Sequence, residues 1–150
     1  MYNYTHKSKL FEECKKLQHK VVENLKTVIE EAQQSANEYG PPKDRYDSFR
    51  MQLLRKKDMY SQQLEKALLE LYALEKIDIK KEMTKIGFGS LVITDEQKIF
   101  ISIGLGKIII DNEIFYAVSI MVPLSKVLEG KQKGETVMLN GKKIEIIDVL

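Results

Sequence analysis

At 150 residues and 17.4 kDa the chain has room for one ordinary domain or two small ones, which excludes a large multidomain enzyme. Hydrophobic residues at 43% and charged residues at 31% describe a chain that folds around a core, not a disordered or collagen-like one. With 24 Lys and Arg against 22 Asp and Glu the net charge is +2, too little for a chain-wide basic field that grips nucleic acid, so any nucleic-acid role is local or indirect.

From Met1 to Lys20 the sequence is charged throughout, with no apolar stretch of signal-peptide length, so a cytoplasmic location is expected. Cys14 stands alone and only two histidines occur, which excludes an internal disulfide framework and a zinc cluster and fits a reducing compartment. Up to about Ile79 glycine occurs only at Gly40 and proline only at Pro41 and Pro42, in a stretch rich in Glu, Lys, Gln, Leu and Ala. Before that break Leu10, Cys14, Leu17, Val21, Leu25, Val28, Ala32 and Ala36 recur at steps of three and four. After it Phe49, Leu53, Tyr60, Leu64, Ala67, Leu71 and Leu74 repeat the pattern, weakened by Lys56 and Lys57. Each stripe alone would stay wet, so residues 1–79 are expected to form an antiparallel coiled-coil hairpin. Arms of roughly 30 residues at about 1.5 Å rise each give a length on the order of 45 Å.

The expected tip lies near residues 37–47 and gathers the carboxylates Glu38, Asp44 and Asp47, two prolines and two tyrosines. Asp44 and Asp47 also suit the start of the second helix, whose unpaired N–H groups favour an acidic cap. Three carboxylates at the end of such a probe hold Mg²⁺ only weakly by themselves, and jointly with another molecule that supplies the remaining ligands.

Residues 80–150 change to β-branched and aromatic runs broken by turn signals. Leu91–Thr94 and Ile99–Ile103 read as strand, turn, strand, and Ile108–Ile110 and Ile114–Met121 as a second such unit around Asp111-Asn112. Ile99–Val122 is apolar enough to suggest a membrane span, but Lys107, Asp111, Asn112 and Glu113 lie within it. A short helix starts about Val122 to Ser125, runs to Leu128 and stops at Gly130. Thr136–Leu139 and Lys142–Val149 form a hairpin on Asn140-Gly141, the pair expected of a type I′ turn. The fold class expected is therefore α+β: a helical hairpin followed by a compact, mainly antiparallel sheet with one short helix. From Lys81 onward nine basic residues meet nine acidic ones.

The second half carries no His, no Cys and no nucleophile beside an evident base, so a self-contained active site is not expected there. Gly87-Phe88-Gly89 and Gly104-Leu105-Gly106 lack the third glycine of a dinucleotide loop and read as strand ends or bulges. His6 and His19 are thirteen apart, not at the spacing of paired ligands, and Cys14 on the apolar seam reads as a small buried hydrophobe.

The segment from Val122-Pro123-Leu124-Ser125 through Leu128-Glu129-Gly130-Lys131 to Gly134-Glu135-Thr136-Val137 resembles the corresponding stretch of the Gre family of bacterial transcript cleavage factors. There a Ser-Pro-like start, a short helix ending in Leu-x-Gly-Lys and a Gly-Asp/Glu-x-Val run lead into the final hairpin. Tyr46 and Arg50 match a Tyr and an Arg at the start of that family's second hairpin helix, whereas its Asp-Leu-Lys-Glu-Asn run is replaced here by Tyr39-Gly40-Pro41-Pro42-Lys43. The resemblance implies an FKBP-like sheet domain without isomerase activity that docks on RNA polymerase, and a hairpin that enters the secondary channel. It implies a transcription elongation factor with no enzymatic activity of its own and no cofactor of its own. Tip carboxylates, Glu38 and Asp44 first and Asp47 third, would assist catalysis by helping the polymerase hold a shared Mg²⁺ during cleavage of backtracked RNA. Nucleic acid would be met only through the elongation complex, with no membrane involved and the factor acting as a monomer. The altered tip leaves a polymerase-binding regulator without cleavage activity as an alternative. The heptad-like seam leaves a coiled-coil scaffold unrelated to transcription as another, and a proline isomerase is disfavoured by the absence of tryptophan.

Overall fold

The computed structural model describes residues 2–39 and 48–150. Two helices, α1 (Tyr4–Tyr39) and α2 (Ser48–Glu75), precede strands β1 (Leu91–Thr94), β2 (Lys98–Ser102), β3 (Gly106–Ile110) and β4 (Glu113–Ser119). A short helix α3 (Pro123–Leu128) and the closing hairpin β5 (Thr136–Leu139) and β6 (Lys142–Val149) complete the chain. This is the α+β architecture expected from the sequence. Two compact units are formed, one of Gln18–Leu71 and one of Met1–Leu17 with Tyr72–Leu150.

In the first unit the two helices pair antiparallel through Val22, Ala67 and Leu71, backed by Leu25, Leu64 and Leu68. The seam differs by one step from the expected one. Val22, not Val21, is the buried valine, and Phe49 stays 52% exposed. The polar Gln18 sits inside the seam, where its Nε2 donates to the Ala67 carbonyl at 2.8 Å and so satisfies a buried amide across the pair.

α1 begins on an Asn cap that the apolar periodicity does not reveal: the Asn3 Oδ1 accepts from the Thr5 and His6 backbone N–H groups at 2.9 and 3.4 Å. In the second unit the six strands run in the order β3-β4-β2-β1-β6-β5. Four of the neighbouring pairs are antiparallel, and β2 and β4 are parallel, with Ile99 opposite Tyr116 and Ser102 opposite Ser119. The local strand-turn-strand pattern did not announce that parallel pair, because β3 hydrogen-bonds only to β4 and lies outside it at the edge.

Side-chain alternation divides the sheet between two apolar clusters. Leu91, Ile93, Phe100, Phe115 and Ala117 face Leu10, Phe11, Cys14 and Leu74 from the helices. Val92, Ile99, Ile101, Ile144 and Ile146 face Leu128 of α3 together with Ile86 and Val137. Central β1 is thus covered on both faces, which explains why Leu91–Thr94 is an unbroken apolar run ending in a buried threonine. Cys14 has no exposed surface, and burial pushes its thiol up to about 12, as a structural hydrophobe requires.

Both tight hairpins use left-handed backbone: Asp111 and Asn112 at φ of 50° and 65°, Asn140 and Gly141 at 53° and 78°. These are the angles that type I′ turns demand and that Asn and Gly supply at least cost. No described helix is long and apolar enough to cross a membrane.

Candidate functional site

Of the three carboxylates singled out in the sequence, Glu38 lies among the described residues; Asp44 and Asp47, with Tyr46, lie outside them. Glu38 is exposed on the last turn of α1, and its Oε1 accepts from the Gln34 side-chain amide one turn earlier at 3.1 Å. One turn apart in the same way, Gln33 donates to the Asn37 Oδ1 at 2.8 Å. These exposed i,i+4 amide bonds, each worth about 0.2–0.5 kcal/mol, bias the side chains along the helix face.

The two helices are tied together at this same end. Arg50 Nη1 donates to the Ala36 carbonyl at 3.1 Å, satisfying one of the carbonyls that a helix end leaves without a partner. Lys57 Nζ donates to the Gln33 Oε1. The rings of Tyr39 and Phe49 meet at 4.9 Å between centroids with planes tilted by 56°. Ala36 is fully buried beneath these contacts. The exposed Phe49 of the seam therefore acts as a partner for Tyr39, not as a core residue. Chemically, the end presents a water-facing carboxylate on a braced backbone. One carboxylate meets a small part of the octahedral demand of Mg²⁺, and no group of three or more His, Cys, Asp or Glu side chains suited to a metal occurs among the described residues.

The Val122–Val137 motif falls in the second unit, at the start of α3. Pro123 occupies the first turn, where its missing N–H costs nothing, and Val122 precedes it in extended backbone (φ −72°, ψ 151°) without a side-chain cap. The buried Ser125 hydroxyl instead turns back to donate to the Ser119 carbonyl at 2.6 Å, fastening the helix to the end of β4. Helix α3 starts two residues before Ser125, and Gly130 closes it at φ 77°, as expected.

Beside this helix opens a groove of about 280 Å³ bordered by Ile86, Gly87, Ile101, Ser125, Lys126 and Glu129. Phe88, Ile120 and Met121 also line it and are 38%, 50% and 68% exposed. Large side chains held out in a cluster are what protein-binding surfaces display. Sequence reasoning passed over this patch: Ile120 and Met121 read as the last residues of a strand, whereas β4 ends at Ser119 and leaves them in a turn. The signal available was an apolar run continuing straight into Val122-Pro123, beyond the point where a strand has anything to cover.

No family model and no curated protein sequence matches the chain. Among solved structures it is similar to the GreA factor homolog 1 (Gfh1) protein of Thermus thermophilus, at 16% identity and a TM-score of 0.35, covering 91% of this chain and 94% of that one. A likeness at that level assigns neither family nor function.

Proposed function

We propose that the chain is a transcription elongation factor that binds RNA polymerase and inserts its helical hairpin into the secondary channel. The observation that carries this reading is the braced helix end: Arg50, Lys57 and the Tyr39–Phe49 ring pair hold the two arms together where Glu38 faces solvent. The Gre-like stretch Val122–Val137 supports it independently, because its Ser125, Lys126 and Glu129 border a groove whose exposed Phe88, Ile120 and Met121 suit a protein partner.

In this reading the factor works as a cytoplasmic monomer without catalytic activity or cofactor of its own. Glu38, with Asp44 and Asp47 beyond the described helix ends, supplies carboxylate oxygens to the polymerase's catalytic centre. A Mg²⁺ held jointly there activates water for cleavage of backtracked RNA. Glu38 brings the acceptor, and its bond from Gln34 biases the carboxylate along the helix face. The groove at α3 provides the affinity, with Phe88, Ile120 and Met121 as anchors.

Binding to the cognate polymerase core, followed by fluorescence anisotropy of labelled factor, tests the reading. The intact chain is expected to bind, and Met121→Asp to weaken binding by roughly ten- to a hundredfold, the usual cost of losing an interface anchor. Absence of binding by the intact chain would remove the polymerase from the account and leave a coiled-coil scaffold in its place.

A further inference from the structure

A second cavity, of about 580 Å³, lies within the unit formed by Met1–Leu17 and Tyr72–Leu150, well inside the size range of small-molecule sites. Ile79, Met83, Val149 and Leu150 give it an apolar lining. Lys7 also lines it and is 2% exposed. The Lys7 Nζ has less than 1 Å² of accessible surface and no hydrogen-bond partner. A buried ammonium without an acceptor is a costly arrangement that native proteins seldom retain without a reason.

The opposing charge acting on Lys7 is Asp78, which is itself exposed and so well screened. Burial outweighs it and pulls the Lys7 amine below its ordinary range. Lys80 and Lys81 stand at the rim against the single acid Glu82, so the charged side chains lining the cavity are three cations and one anion. Cationic excess, an unpaired buried donor and apolar walls describe a complement for one kind of molecule.

We propose that this cavity binds a small organic monoanion with an apolar body, a medium-chain carboxylate in its simplest form. The carboxylate accepts from the Lys7 ammonium once a rotamer change of its flexible four-carbon stem brings Nζ, which has less than 1 Å² of accessible surface, to the cavity wall, and the body lies against Ile79, Met83 and Leu150. One buried cation balances one negative charge. A dianionic phosphate would need further buried donors, and Lys80 and Lys81 are exposed.

Titration of the full chain with octanoate, followed by amide and methyl NMR shifts, tests the proposal, with 1-octanol and inorganic phosphate as comparison probes. Saturable shifts at Lys7, Ile79, Met83 and Leu150 are expected with octanoate. Binding should weaken by about tenfold or more in Lys7→Met and for 1-octanol, the loss that follows when a hydrogen bond to a charged group is removed. Equal binding of octanoate and 1-octanol to the wild type would overturn the assignment of Lys7, whatever the folding state of the variant. Absence of saturable shifts, or phosphate reproducing the octanoate shifts, would overturn the ligand class.

Discussion

Replacing Lys7 by methionine is expected to make the protein more stable, against the usual direction for a buried substitution. Methionine keeps an unbranched stem of similar length at this buried position and removes the ammonium, whose Nζ meets no acceptor. Leaving a buried polar group unsatisfied costs about 1–3 kcal/mol, and more when it is charged. The exposed Asp78 returns a part of this, so a gain of roughly 1–3 kcal/mol is the working magnitude, equivalent to about 2–12 °C in Tm for a chain of this size.

The effect carries its own pH signature. Because burial lowers the folded-state pKa of Lys7 below the 10.5 of the unfolded chain, the unfolded state binds more protons between those two values. The wild type therefore gains stability as pH rises through that window, and its deficit against Lys7→Met, greatest near neutrality, shrinks toward pH 10.5. Urea unfolding of both proteins from pH 7 to 10.5, followed by circular dichroism, measures the two curves. A variant less stable than wild type at pH 7, or a gap that widens with pH, would refute the claim that the ammonium is unpaired.

Packing and charge elsewhere in the fold set three further outcomes. Gly89 adopts φ 91° and a Cβ there would stand 3.1 Å from Ile77 Cγ2, so Gly89→Ala should cost about 1–3 kcal/mol in urea unfolding. The Cys14 thiol is fully buried and its pKa is raised from 9.0 to about 12, so at pH 8 it should react with a thiol reagent far more slowly in the folded protein than in the urea-unfolded chain. The Tyr2 hydroxyl donates to Glu113 Oε1 at 2.8 Å and lowers that carboxyl's pKa, with Lys98 adding to the effect. The interaction stabilises the fold above pH 4.5 and is lost as pH falls through the depressed folded value, so in Tyr2→Phe the NMR titration midpoint of Glu113 should rise toward 4.5.

The fold was legible wherever a local pattern decides the outcome. Apolar spacing placed both helices, and Asn140-Gly141 and Asp111-Asn112 placed both tight turns to the residue. Where the outcome depends on what lies across space, the pattern was silent. Nothing in residues 98–119 says that β4 joins β2 in parallel instead of leaving β3 between them. Gln18 and Lys7 were invisible to a search for apolar periodicity because both are polar, yet both are buried: one satisfied through the Ala67 carbonyl and one not satisfied at all.

The candidate site divides along the same line. Glu38 is expected in the tip between the helices, whereas the structure carries α1 through Tyr39 and places it on the last helical turn; the brace at that end comes from Arg50 and Lys57, which reach Ala36 and Gln33 across the helix pair. Lys57, which weakens the apolar seam in sequence, is one of the groups that tie the helices together. Asp44 and Asp47 lie beyond the described helix ends. The apolar patch of Phe88, Ile120 and Met121 draws on segments more than 30 residues apart, so no local window contains it.

The central claim is that the helix-end carboxylates act on the polymerase's chemistry. It is tested most directly by RNA cleavage in stalled, backtracked elongation complexes of the cognate polymerase, with the factor's binding followed in parallel. Mg²⁺-dependent shortening of the RNA by the wild-type chain, abolished in Glu38→Ala and Asp44→Ala without loss of binding, is the predicted result. Binding without cleavage, or cleavage that both substitutions leave unchanged, would contradict it.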